Sequence, residues 1–147
     1  MKSRVELGAA QETLLIPLYG RAMEMRQRRP WMHDERAVEL VESIDYDFAK
    51  FKKDSLVGSV LRGAIFDHWV SEFLREHPGG SVIEIGAGLN TRYERLDNGT
   101  ARWLEIDLPD AMELRRRFFE DTERRTMHAG SITDPDWVPL VEELPEP

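Results

Sequence analysis

Apolar positions fall at helical spacing through the first half of the chain and in short β-branched bursts through the second. Residues 5–29 predict helix in two pieces divided at Pro17, because proline lacks the N–H that a helix interior uses and suits a first turn. Leu14, Leu15, Leu18, Met23 and Met25 form the apolar side, a methionine-rich stripe that reads as packing. Asp34 predicts the N-cap of a helix reaching about Ile44, with Ala37, Val38, Leu40, Val41 and Ile44 buried. After a less regular link at Asp45-Tyr46-Asp47-Phe48 comes the longest periodic segment, Asp54 to Glu76. It places Leu56, Val57, Val60, Leu61, Ala64, Ile65, Trp69, Val70, Phe73 and Leu74 along one helix face, and Pro78-Gly79-Gly80 ends it.

From there helix and strand alternate. A strand is predicted at Ser81–Ile85, a short helix over Asn90–Leu96, a turn at Asp97-Asn98-Gly99 and a second strand at Ala101–Ile106. A helix then runs from Pro109 to about Glu123, followed by a short third strand at Arg125–Ala129. Asp134 caps a last helical stretch, with Pro135 at its first position and Trp137, Val138, Val141 and Leu144 as its apolar residues. Such alternation implies an α/β fold, a parallel sheet with helices on both faces and right-handed crossovers. Residues 1–53 form a helical cap on this reading, and residues 54–147 carry the sheet.

Composition narrows the partners. The 147 residues suffice for a sizeable core. A formal net charge of −8 argues against nucleic acid. Arg26, Arg28 and Arg29, like Arg115 to Arg117, have acids close by and read as solvated helix faces. The absence of cysteine excludes disulfides, thiolate nucleophiles and cysteine-based zinc sites, and the four histidines show no metal spacing. No apolar run approaches the roughly 20 residues of a membrane span. Leu14-Leu15-Ile16, cut by Pro17, is too short for a signal-peptide core. No membrane and a cytoplasmic location are the expectation.

The chemistry concentrates at Ser81–Arg92, SVIEIGAGLNTR, a strand running into a glycine turn. In an α/β sheet that is where nucleotide-like ligands bind. A phosphate-binding loop is excluded, since no Gly-Lys-Ser/Thr follows Gly86 at the required spacing. A dinucleotide site is disfavoured, because Thr91 stands where the third small residue belongs and Glu84 has no place in that fingerprint. S-adenosylmethionine suits the pattern better. It has no pyrophosphate, and it needs close backbone approach, a carboxylate near its amino group and an acid for its ribose. Gly86 and Gly88 provide the approach and Glu84 the first acid. Glu105 and Asp107, about twenty residues on, end the second strand, where an acid can accept two hydrogen bonds from a ribose diol. Asn90 and Thr91 read as capping residues.

With these residues in view, SVIEIGAGLNTRYERLDNG followed by RWLEIDLPDAMELRRRFF resembles the leucine carboxyl methyltransferase family, in its bacterial, tetracenomycin-type polyketide O-methyltransferase branch. TLLIPLYGRAMEMR, HDERAVELVESIDYDF and GSVLRGAIFD are similar as well, so the likeness runs from about Val5 to Trp137. The resemblance implies a class I methyltransferase fold, Rossmann-like, that uses S-adenosylmethionine. It implies that Arg62 holds the cofactor carboxylate, with Arg21 as a second basic candidate. Gly86 and Gly88 would lie beneath the methionine part, Asp107 on the ribose, and Ser131 and Ile132 beside the adenine. Arg62 also admits a structural ion pair with Glu84 or Asp67.

Relatives in this family are longer, so the chain is expected to be the N-terminal half of the fold. It would carry three parallel strands in the order 3-2-1, end before the acceptor-binding half, and leave the first strand as an open edge. The expected function is methyl transfer from S-adenosylmethionine to an oxygen of a small molecule, a polyketide phenol or a carboxyl group, with catalysis by positioning. A carboxylate acceptor needs no base, whereas a phenol must lose its proton; no catalytic residue is assigned. The alternative is a non-catalytic half-domain that binds a partner, or its own copy, through the open edge.

Overall fold

The computed structural model describes residues 3–4, 9–51 and 53–144, and of residues 3–4, 9–11 and 53–55 the backbone alone. The expected helix start at residue 5 and the tail at 145–147 lie outside the described residues. The elements in order are β1 (Ser3–Arg4), α1 (Ala9–Glu24), α2 (Glu35–Ser43), β2 (Ile44–Asp45), α3 (Lys53–Glu76), β3 (Ser81–Ile85), α4 (Arg92–Leu96), β4 (Arg102–Asp107), α5 (Pro109–Arg115), β5 (Arg125–Ala129) and α6 (Val138–Glu142). Single 3-10 turns occupy Phe48–Lys50 and Pro135–Trp137. The contacts divide the chain into two units, Met1–His68 with Leu89–Arg95, and Trp69–Gly88 with Leu96–Pro147.

In the first unit α1 is one continuous helix with Pro17 inside it, not two pieces. Leu15, Leu18 and Ala22 are buried on both sides of the proline. That burial outweighs the backbone bond and clash at Pro17, a cost of about 3 kcal/mol. The helix also ends earlier than expected, so Arg26, Arg28 and Arg29 stand in an exposed turn rather than on a helix face. Asp34 caps α2 as expected, its Oδ1 accepting the Ala37 N–H at 2.9 Å. The link after α2 is more ordered than its sequence implies. Ile44–Asp45 pairs in parallel with Ser3–Arg4, and Tyr19 stacks on Phe48 and Tyr46 on Phe51, with Tyr46 and Phe48 meeting edge to face.

Helix α3 matches its expected span, but its apolar residues do not all go inward. Leu56, Val60 and Leu74 are buried, while Val57, Leu61, Ile65, Phe66 and Trp69 are exposed.

The second unit is built on a parallel sheet in the order β3-β4-β5. Central β4 buries Trp103, Leu104, Glu105 and Ile106, and so is covered on both faces, as parallel strands usually are. Strand β3 alternates instead. Val82 and the acid Glu84 are buried, whereas Ile83 and Ile85 are exposed by 38% and 57%. Among the described residues β3 pairs only with β4. Helix α5 stops at Arg115, well short of Glu123, because the chain must turn back into β5. Asp121 accepts the Met127 N–H at 2.6 Å and Thr122 donates its N–H to the Arg125 carbonyl at 2.9 Å. Arg115, expected on a solvated face, is fully buried.

Candidate functional site

The glycine turn forms as its residue types require. Gly86 and Gly88 have φ of 71° and 48°, the left-handed region that a side chain rarely enters. The turn folds onto the end of β4: the N–H groups of Gly86 and Ala87 both donate to the Ile106 carbonyl, at 2.8 and 3.2 Å. A Cβ built on Gly86 meets nothing within 4 Å, so the turn faces open space.

Asp107 ties the carboxyl ends of the three strands together. Its Oδ2 accepts the Gly88 N–H at 2.7 Å and its Oδ1 accepts the Leu108 N–H at 2.8 Å. Its carbonyl accepts the Gly130 N–H at 2.9 Å, which brings the end of β5 alongside. The carboxylate is half-buried, and each oxygen keeps a further lone pair for a ligand hydroxyl. Ser131 follows Gly130, its hydroxyl 2.8 Å from that of Thr133, and Ile132 is half exposed. Leu108, directly after Asp107, is 58% exposed. Two apolar side chains thus stand at this end of the sheet, one after each outer link to Asp107. Leu108 was not picked out from sequence; its position after the strand-two acid was the available signal.

Glu84 lies on the buried side of β3, in register with Glu105 on β4. Glu105 is held bidentately by Arg115, at 2.7 and 2.8 Å, with both side chains fully buried. Burial pushes the Glu105 carboxyl up to about 7; Arg115 pulls it down and Glu84 pushes it further up. Arg115 also packs over the Phe119 ring, 4.2 Å from its centroid, and donates to the Gly88 carbonyl at 3.0 Å.

The next carbonyl is held within the first unit. Arg21 donates from Nη2 to the Leu89 carbonyl at 2.7 Å and from Nε to Asp34 Oδ2 at 2.7 Å. Thr91 Oγ1 donates to the same Asp34 oxygen at 2.6 Å, and Arg95 Nε donates to Thr91 Oγ1 at 3.1 Å. The Thr91 hydroxyl is therefore an anchor, while its carbonyl accepts the Arg95 N–H at 3.2 Å at the start of α4. Arg92 and Arg95 both pair with Asp67 of α3. Asp34, Arg21 and Thr91 are buried, and the sequence reading assigned none of them to this cluster.

Arg62 lies on the exposed side of α3. With Asp67 taken by Arg92 and Arg95, the ion pair with Asp67 that the sequence admitted is not the one formed. Of the residues singled out in sequence, Glu84, Gly86, Gly88, Asp107, Ser131 and Ile132 fall in the second unit, and Arg62 and Arg21 in the first. No group of three or more metal-ligating side chains occurs among the described residues, and no helix among them is long and apolar enough to cross a membrane.

The leucine carboxyl methyltransferase family model matches residues 15–133. The chain is 36% identical, over 145 residues, to the tetracenomycin polyketide synthesis O-methyltransferase of Streptomyces glaucescens, an alignment covering 96% of this chain and 53% of that protein. It is 31% identical, over 151 residues, to an S-adenosyl-L-methionine-dependent methyltransferase of Gibberella zeae, covering 92% of this chain and 49% of that protein. The chain spans about half the length of the curated relatives it matches.

Proposed function

Because the chain belongs to the leucine carboxyl methyltransferase family, we propose that it forms the cofactor-binding half of a class I methyltransferase fold, with β5-β4-β3 as strands 3-2-1, and that it holds S-adenosylmethionine for transfer to an oxygen of a small-molecule acceptor. The observation that carries the reading is the tie from Asp107 to Gly88 and Gly130, which gathers a glycine turn, an acid and an apolar pair at the carboxyl end of a parallel sheet.

The residues fit the group. Gly86 and Gly88 let a ligand approach the backbone closely. Asp107 takes the ribose hydroxyls on its remaining lone pairs, and Leu108 and Ile132, with Ser131, flank the adenine. Glu84 serves the ammonium group. Arg62, which has no ion-pair partner among the described residues, serves the carboxylate. The cofactor supplies an already activated methyl group, so this chain's task is to bind and orient. A polyketide phenol or carboxyl is the proposed acceptor, in keeping with the polyketide relative.

Calorimetric titration with S-adenosylhomocysteine and adenosine tests this. Asp107→Asn should weaken both ligands about tenfold, because both carry the ribose. Arg62→Gln should weaken S-adenosylhomocysteine by a similar factor and leave adenosine, which has no carboxylate, unchanged. No heat with S-adenosylhomocysteine at millimolar concentration would refute the reading for this chain.

A further inference from the structure

The first unit carries a cavity of about 640 Å³ whose lining includes no residue of the strand ends or the glycine turn. It is lined by Glu24, Gln27, Arg28, Arg29 and Trp31 from the end of α1 and the turn beyond it, and by Val57, Val60 and Leu61 from α3. That volume lies in the range of small-molecule sites, roughly 300–1,000 Å³.

Its chemistry is divided. Val60 is 3% exposed and forms the floor, while Val57 and Leu61 are exposed walls. The Trp31 side chain is 72% exposed, although its backbone N–H is fixed at 2.6 Å by the Glu24 carboxylate. A large aromatic face is therefore presented on an anchored backbone. Arg28 and Arg29 are exposed and have no ion-pair partner among the described residues, in a chain of net charge −8 where Arg21, Arg92, Arg95, Arg115 and Arg124 are each paired. With Glu24 already engaged by Trp31, the lining keeps an excess of one positive charge. An apolar floor, a stacking face and two guanidinium forks together match one ligand class, a flat ring system bearing a carboxylate.

We propose that this groove binds a planar aromatic carboxylate, with Trp31 stacking on the ring and Arg28 and Arg29 holding the carboxylate. As the place where an acceptor is recognised, the groove rests on the methyltransferase reading; as a binding site, it does not.

The test uses the 147-residue chain and 3-hydroxy-2-naphthoate followed by calorimetry, with its neutral methyl ester and the non-aromatic cyclohexanecarboxylate as comparators. The naphthoate should bind with a submillimolar Kd, and each comparator about tenfold more weakly. Arg28→Gln/Arg29→Gln should weaken the naphthoate about tenfold and leave the ester unchanged. Trp31→Ala should weaken both aromatic ligands, and Trp31→Phe should restore most of the loss. These side chains are exposed, so the variants keep the fold. No saturable naphthoate binding, or binding that both sets of variants leave unchanged, would overturn the proposal. S-adenosylhomocysteine is titrated into the same samples. Cofactor binding without naphthoate binding overturns the groove alone; naphthoate binding without cofactor binding upholds the groove and removes its acceptor role.

Discussion

Two consecutive carbonyls, those of Gly88 and Leu89, are each held by a buried arginine that is itself anchored by a buried carboxylate, but the two anchors are built differently. In the second unit Arg115 grips both oxygens of Glu105, with Glu84 in register beside it. In the first unit Asp34 shares its charge among the Arg21 guanidinium, the Thr91 hydroxyl and the Ala37 N–H at the start of α2. One centres on a bidentate pair next to a second acid. The other is a hub that joins α1, α2 and the segment after the glycine turn. A bidentate pair loses both of its bonds when either partner is removed, whereas a hub can lose one partner and keep the others.

The largest effect is therefore expected at Arg115. Arg115→Ala leaves Glu105 buried beside Glu84 without its guanidinium, and should lower stability by about 3–5 kcal/mol in urea unfolding at pH 8. The loss should shrink as pH falls, because the stranded carboxyl can take up a proton. A cost that is the same at pH 8 and pH 5 would mean that charge compensation is not what Arg115 provides. Replacing the pair by Glu105→Leu/Arg115→Met should cost much less than Arg115→Ala, since no buried charge is left behind.

Asp34→Ala comes next, at about 3 kcal/mol, combining a lost N-cap of about 1 kcal/mol with a buried guanidinium deprived of its partner. Here the loss should not relax at low pH, because an arginine keeps its charge. Asp34→Asn should recover the capping part alone, as asparagine caps a helix as well as aspartate does. If Asp34→Ala behaved like Arg115→Ala across pH, the distinction between hub and pair would fail.

The contrast also explains what could be read from sequence. Strands β3 and β5 match their expected bounds, because their runs are bracketed by breakers such as Pro78-Gly79-Gly80. The glycine turn was legible because φ above zero calls for glycine at Gly86 and Gly88. The anchors were not. Thr91 meets Asp34 across 57 positions and Arg21 meets the Leu89 carbonyl across 68, and neither pairing leaves a local pattern. Arg115 sits in an Arg-Arg-Arg run that looks like a wet surface, and a partner ten positions back on β4 helps make it a core residue. Pro17 misled for a related reason, since its local penalty was weighed without the burial of Leu15 and Leu18 around it. The exposure of Ile83 and Ile85 is equally tertiary: the strand was visible, but which of its residues faced inward was not.

The finest test of the comparison is the pH dependence of the intact chain, because it reads the Glu105 anchor without removing anything. The Glu105 carboxyl is raised from an ordinary 4.5 to about 7, first by burial and then by Glu84, against the pull of Arg115. A raised carboxyl binds its proton more tightly in the folded state than in the unfolded one. Its contribution to stability is thus fully present below about pH 4.5 and is lost as pH rises toward 7. Within that window stability should fall with pH by at most about 1.4 kcal/mol per unit from this group. Glu105→Gln cannot titrate, so unfolding free energies at half-unit steps of pH should show a flatter slope for the variant than for the parent, whatever the absolute offset between them. Parallel slopes from pH 4.5 to 7 would show that Glu105 stays ionised throughout and that the two anchors respond to pH alike.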